Sequence, residues 1–497
     1  MAVKRFFANK DNTITNAFKA DLSTRATASN MGESDILETF HIWGQTSGST
    51  DGASDELSRI LIDFPVTTDI ADARTAATIP ASGNVNFYLR MFDAPHTETT
   101  PTQFTLTVAA VSQSWTQGTG LDMTTYKNIG ASNWTDATST ATWTVGGGDY
   151  LTGSANALMF ASQYFTEGTE DLNVDITTIV EEWLIGTTGS YGLGIHITAS
   201  QEAEEASHYT KKFFASGSEF FFKKPVIEAR WDDSVKDDAA NFYVSSSRAS
   251  AADNLNIIYF YNYIRGQLTD LPGVGTGAIT VSLYSGSADN TAPSGSKLFF
   301  PVGGDAAATG DTNVTGGHIG TTGIYSASFA YVSSSITQVF PLWHSGGTEY
   351  FTGSAITPQA FENGAAYPIK DYVINITNLK PIYTKDEVAR FRLYVRPKDW
   401  NPTIYSVAKT TISNQIIEKA YWKLVRTVDD YVIVDYGNGT GNNAYTLMSY
   451  DVSGSYFDFD MSMLQTGYSY ELRFLFNVAG DKQEQKTSFK FRVENGY

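Results

Sequence analysis

Leu464-Gln-Thr-Gly-Tyr-Ser-Tyr-Glu-Leu472 sets a turn at Gly467 directly before an alternating run in which Tyr468, Tyr470 and Leu472 share one face. Period-two alternation of this kind marks a half-buried strand. The pattern continues outward on both sides. Downstream lies Phe489-Lys-Phe-Arg-Val493; upstream lie Arg390-Phe-Arg-Leu-Tyr-Val-Arg396 and Ala420-Tyr-Trp-Lys-Leu-Val-Arg426, the latter turning near Asp429 and Asp430 into Tyr431-Val-Ile-Val-Asp-Tyr436 as a hairpin.

A tyrosine at a strand start just after a glycine turn occupies the place of the tyrosine corner in immunoglobulin-like sandwiches. Residues 380–497 are therefore expected to fold as an immunoglobulin- or fibronectin type III-like domain. The rest of the 497-residue chain is long enough for further domains of roughly 100 to 200 residues each. Its composition favours strands: 28 tyrosines, 30 phenylalanines and nine tryptophans accompany a charged fraction of only 18%, against the usual ~25%. The expectation is an all-β chain of three tandem β-sandwich domains with very little helix, over residues 1–234, 235–379 and 380–497.

In the first region, Ser58-Arg-Ile-Leu-Ile-Asp-Phe64, Val85-Asn-Phe-Tyr-Leu-Arg-Met-Phe92 and Phe104-Thr-Leu-Thr-Val-Ala-Ala-Val111 read as half-buried strands. One segment breaks the pattern. Ile176, Ile179, Val180, Trp183 and Leu184 recur at helical spacing, with Asp175 as N-cap and Gly186 just past the end, which predicts a short amphipathic helix with Trp183 as a core plug. The charged stretch Glu228 to Asp238 marks the end of the region. In the second region, Leu255–Tyr261, Ala278–Tyr284, Gly323–Tyr331 and Val339–Trp343 alternate with glycine-rich turns, as a sandwich requires. Gly303 to Thr322 has almost no large apolar residue and reads as a long exposed loop.

Thirty-four lysines and arginines against 53 acidic residues leave a net charge of −19, with no basic block to offset it. Nucleic-acid phosphates and anionic membranes would be repelled, so neither is an expected partner. There is no cysteine, hence no disulfide, thiolate metal site or cysteine nucleophile. The opening Met1-Ala-Val-Lys-Arg-Phe-Phe-Ala-Asn-Lys-Asp11 lacks the apolar core of a signal peptide, and no later run reaches the ~18 residues of a membrane span. The expectation is a protein made and kept soluble in the host cytoplasm. A surface-like Ser/Thr/Gly/Tyr composition without an export signal fits a virion protein released by lysis better than a substrate of a non-Sec secretion system, which is the alternative.

Motifs for chemistry are sparse. Gly273-Val-Gly-Thr-Gly-Ala278 matches a dinucleotide fingerprint in letters, but Pro272 precedes it and a strand follows, where phosphate binding needs a helix N-terminus. His41, His96, His196, His208, His318 and His344 fall in no metal-ligand spacing. No Gly-x-Ser-x-Gly elbow or Walker lysine loop occurs. The Asp51-Gly-Ala-Ser-Asp-Glu56 loop and the Asp232-Asp233 to Asp237-Asp238 cluster offer oxygen ligands for calcium, but without the EF-hand order they read as solvated loops. The sequons at Asn133, Asn313, Asn375 and Asn438 carry weight only in a secreted eukaryotic protein. Trp115, Trp134 and Trp143 could stack on sugar rings or fill a core; core packing is the expectation. No catalytic, cofactor-binding or metal-binding residue is assigned, and the protein is not expected to be an enzyme.

Four ordered pieces of the first region resemble the DNRLRE family of β-sandwich modules: Asp11-Asn-Thr-Ile14 with Asn30-Met-Gly-Glu-Ser-Asp-Ile-Leu37; Ser58–Phe64; Trp115-Thr-Gln-Gly-Thr-Gly120 with Asn133-Trp134; and Val174–Trp183 with Tyr191-Gly-Leu193. That resemblance implies a jelly-roll-like domain of the kind found beside polysaccharide-acting enzymes, and so a possible host glycan as partner. Arg396-Pro-Lys-Asp-Trp-Asn-Pro-Thr403 and Ser449-Tyr-Asp-Val-Ser-Gly-Ser-Tyr-Phe-Asp-Phe-Asp460 resemble the C-terminal domain of structural proteins of tailed, marine T4-like bacteriophages. This implies a virion component of head, neck or tail, homo-oligomeric and in contact with other virion structural proteins. The alternative expectation is a carbohydrate-binding adhesin or tail-fibre module; a depolymerase is disfavoured because neither a β-helix repeat nor an acid/base pair can be read.

Overall fold

A computed structural model describes residues 2–48, 52–127, 130–152, 156–246, 254–286, 293–300, 311–359, 371–398, 414–441, 443–478 and 480–496. Asp51 of the candidate calcium loop, residues 303–310 of the glycine-rich stretch and residues 399–403 of the phage-like motif lie outside them. The chain is built mainly of strands arranged in several sheets, as expected of an all-β multidomain protein.

In the first domain, strands Val3–Phe7, Val226–Arg230, Asn86–Met91 and Leu172–Asp175 form a four-stranded antiparallel sheet in that order. Val3 is paired with Arg230, so the domain closes its ends on each other. Facing it is a seven-stranded sheet ordered His208–Phe214, Ile36–Gly48, Gly52–Asp63, Leu193–Ile197, Phe104–Ala110, Phe160–Phe165, with Lys10–Thr15 paired to Gly52–Asp63. The predicted helix spans Thr177–Ile185 and ends on Gly186 at φ +80°, a left-handed C-cap that glycine adopts at little cost. Asp175 does not sit at the N-cap, which is Ile176, yet its carboxylate accepts the Thr177 N–H at 2.8 Å. Trp183 is buried in the core. A π-helical turn Val66–Ile70 runs into a short helix Ala71–Thr75, and the two bury Val66, Ile70 and Ala73.

Two readings of this region need correction. Asp55 and Glu56 belong to strand Gly52–Asp63, not to a solvated loop. Ser58–Phe64 is not half-buried, because Ile60, Leu61 and Ile62 are all buried. Ile60 and Ile62 face the four-stranded sheet, while Leu61 joins Ile14, Val111, Trp115, Ala137 and Trp143 in a second cluster on the sheet's other face. A strand covered on both faces carries a continuous apolar run.

The second domain has, besides a small hairpin of Tyr263–Ile264 and Gln267–Leu268, a seven-stranded sheet ordered Asn256–Tyr261, Ile324–Phe329, Val314–His318, Ala278–Gly286, Phe340–Ser345, Thr348–Thr352, with Ser294–Lys297 paired to Ala278–Gly286. The sheet curls onto itself, since Phe260 on the first edge stacks on Phe351 at the opposite edge at 5.3 Å and on Trp343 at 5.7 Å. Its two halves are thereby the two layers. Val314–His318 falls inside the stretch expected to be an exposed loop. At Gly316 the neighbouring strand runs too close for a side chain: a Cβ there would stand 2.2 Å from the Ser326 carbonyl oxygen.

The third domain has sheets ordered Tyr372–Ile376, Val388–Pro397, Gly454–Asp460, Ser449–Asp451 and Ile382–Thr384, Phe489–Glu494, Ser469–Val478, Ala420–Arg426, Tyr431–Val434. Ile382–Thr384 runs parallel to Phe489–Glu494. With Ile382–Thr384, Tyr431–Val434 and Asp481–Glu484 set aside, the seven remaining strands split into a first-second-fifth-fourth sheet and a seventh-sixth-third sheet, as in immunoglobulin-like sandwiches. The tyrosine corner is present: buried Tyr470 donates its hydroxyl to the Gln465 carbonyl at 2.5 Å. Tyr372–Ile376 lies before residue 380 but places Ile374 and Ile376 in this core. The third sandwich therefore starts earlier than the composition break suggested.

Candidate binding cleft at the domain seams

The glycine turns and polar motifs of the first region converge on one structural task. Asn12 donates to the Ser132 carbonyl at 2.9 Å and accepts from Met31 N–H at 2.9 Å; Asn30 donates to the Gln117 carbonyl at 2.6 Å and accepts from Gly120 N–H at 2.9 Å. Gly120 must be glycine, since a Cβ there would stand 1.8 Å from the Asn30 carbonyl oxygen. These bonds fasten the segment that carries Trp115 and Trp143 over the sheet. Both indoles are buried and donate to carbonyls of Tyr191 and Asn133. Trp134 lies 5.4 Å from the Arg59 guanidinium, which grips Glu202 at 2.6 and 3.1 Å. The three tryptophans thus pack the protein rather than project from it.

The histidines stay apart in function. His41 meets Asp55 at 2.5 Å, His96 meets Glu98, His208 meets Glu204 and His318 meets Asp270, each of these three at 3.2 Å, while His344 bonds Ser282 at 2.8 Å. Burial pushes His196 below its ordinary pKa. Among the described residues no group of three His, Asp or Glu side chains is placed to hold a metal ion. Gly273–Gly277 is a turn leading into strand Ala278–Gly286, with no helix to meet a phosphate.

Charged residues make the joints between sandwiches, among them Asp237 and Asp238, which read in the sequence as a solvated loop. Arg5 binds Glu228 at 2.8 Å and donates to the Ile433 carbonyl of the third domain at 2.8 Å. Glu228 is buried among Arg5, Arg90 and Arg230; burial opposes its charge, but the three guanidiniums win and hold its carboxyl well below the usual range. Val3 and Phe222 from the first domain complete the core of the third.

The second joint is made by residues 235–241. Lys236 forms a single parallel bridge with Tyr450 of Ser449–Asp451, with Tyr450 N–H donating to the Val235 carbonyl at 2.9 Å and Asp237 N–H to the Tyr450 carbonyl at 3.0 Å. Asp238 accepts from the Tyr450 hydroxyl at 2.7 Å and from Ile257 N–H at 2.7 Å, and Asp237 accepts from Ala239 N–H at 3.1 Å. Ile257 lies on the edge strand of the second domain, so the Asp238 carboxylate takes an outward N–H group that an adjoining strand would otherwise bind. Burial pushes Asp237 up to about 7, with Asp451 and Asp238 adding repulsion.

Beside this joint a cleft of about 330 Å³ opens between the second and third domains. One wall carries Tyr259 and Tyr261, stacked at 6.2 Å, together with Tyr263 and Phe351. The other carries Tyr456 beneath Arg390 and Arg392, at 4.4 and 5.1 Å. Asp458 grips Arg390 at 2.7 and 2.8 Å, and Asp451 grips Arg392 at 2.9 and 3.0 Å. A second groove, of about 320 Å³, lies on the first domain and includes Glu38, Phe40, Glu56 and Tyr209. Its polar groups are largely engaged within the protein: Glu38 accepts from the Thr210 hydroxyl, Glu56 from Phe18 N–H, and Ser58 donates to the Glu38 carbonyl.

No family model matches the chain, and no curated protein matches its sequence. Among solved structures, a marsupial T cell receptor is similar over 48% of this chain and 68% of its own, at 8% identity and a TM-score of 0.15. A likeness that loose carries no argument about function.

Proposed function

We propose that the chain is a structural component of a bacteriophage virion that works through protein–protein interfaces and not through chemistry. The observation that carries this reading is the way the sandwiches are joined. A main-chain bridge between Lys236 and Tyr450, the Arg5 guanidinium on the Ile433 carbonyl and the Lys4–Asp460 ion pair at 3.3 Å tie the sandwiches together, an arrangement suited to a part that must keep its shape while neighbours press on it. The phage-like sequence of residues 449–460 lies in this joint, where Ser449 and Tyr450 bind Val235 and Asp238.

Self-assembly would use the open edge strand Phe160–Phe165 of the first domain, which presents Phe160 and Tyr164 at 37% and 57% exposure. Unpaired strand edges with aromatic side chains are natural contact surfaces. Mass spectrometry of gradient-purified particles is expected to find the chain at a fixed ratio to the other structural proteins, and native mass spectrometry to find a homo-oligomer. Its absence from purified particles would refute the reading.

A further inference from the structure

We propose that the cleft between the second and third domains binds a short neutral oligosaccharide. The cleft lies at a domain interface and is in the size range of small-ligand sites. Its mouth presents two aromatic side chains at the surface, Tyr263 at 58% and Phe351 at 36% exposure. Aromatic faces of this kind pack against the C–H faces of sugar rings, and tyrosine adds a hydrogen-bonding tip.

The polar lining decides the ligand's charge. Arg390 and Arg392 are each gripped by two oxygens of one aspartate, so their charges are already compensated. An anionic ligand would have to compete with Asp458 and Asp451 for them. A neutral polyol has no such conflict, because vicinal hydroxyls both donate and accept, and a bidentate guanidinium–carboxylate pair has at most three N–H donors left over beside carboxylate lone pairs. The Tyr261 hydroxyl, on the same wall, is buried and has no hydrogen-bond partner among the described residues. Unmet capacity of that kind is costly until a ligand or water answers it.

The first-domain groove lacks this combination, since its carboxylates and hydroxyls are engaged internally. The inference does not rest on the particle assignment, and either can fail without the other.

The test is an array of neutral and charged oligosaccharides probed with the full chain, followed by titration calorimetry on the best neutral binder. Saturable binding is expected, weakened at least about tenfold by Tyr263→Ala and by Phe351→Ala. Thermal denaturation checks that both variants still fold. Tyr261→Phe, which keeps the ring and removes the hydroxyl, is expected to weaken binding severalfold. The proposal is overturned by an array with no neutral binder, by binding confined to anionic sugars, or by binding that folded Tyr263→Ala and Phe351→Ala chains retain in full.

Discussion

The Tyr450 hydroxyl donates to Asp238 Oδ1 at 2.7 Å and so ties the edge of the third sandwich to the segment that leads into the second. Because the same carboxylate accepts Ile257 N–H, one aspartate holds three parts of the chain together. Tyr450→Phe keeps the ring in place and removes one donor to a largely buried acceptor. The expected loss is about 1–2 kcal/mol of unfolding free energy. Urea denaturation should show it as a lower midpoint with an unchanged slope, and an unchanged midpoint would mean that the bond contributes nothing.

Asp237 makes the same joint sensitive to pH. Its carboxyl has an ordinary value of 3.8 when unfolded and about 7 when folded, so the folded chain holds a proton that the unfolded chain releases. Stability from this group is complete below about pH 4 and is lost as pH rises to about 7. Asp237→Asn cannot ionise, though its side-chain oxygen can still accept N–H bonds. The variant is expected to gain stability over the parent between pH 4 and 7, with a constant difference above that. Melting temperatures of both proteins across pH 4 to 8 test this; parallel curves would contradict it.

Glu228 has the opposite sign. Its carboxyl is held below the usual value by Arg5, Arg90 and Arg230, so its contribution is present above about pH 4.5 and is lost only in strong acid. Glu228→Gln leaves three guanidiniums crowded at a buried site. Removing one partner from a buried ionic cluster typically costs about 3–5 kcal/mol. Thermal denaturation at pH 7 should show a large fall, and proteolysis should become easier around residues 226–230.

Gly316 tests the strand that sequence composition hid. A methyl group there would meet the Ser326 carbonyl oxygen at 2.2 Å, and backbone cannot swing aside as a flexible side chain can. Gly316→Ala is expected to destabilise the second domain by about 1–3 kcal/mol. Gly317→Ala, with open space around its Cβ position, is the matched control and should be tolerated.

Residues whose structure depends on near neighbours were readable in the sequence. The turn at Gly467 before Tyr470 was enough to place a tyrosine corner whose hydrogen bond spans five residues. The helix over Thr177–Ile185 followed from apolar spacing and from Gly186, and alternation marked the strands of the third sandwich. Contacts across hundreds of residues were decided only by the tertiary structure. Nothing near Leu61 announces that Trp115 and Trp143 cover its face of the sheet. Val314–His318 lacks apolar alternation, because its pairing rests on main-chain bonds and close approach and not on side-chain burial. Asp237 and Asp238 looked like solvated charge because polarity is all that sequence displays. Their burial depends on Tyr450 and strand Asn256–Tyr261 closing around them, and those partners come together only once the domains have folded.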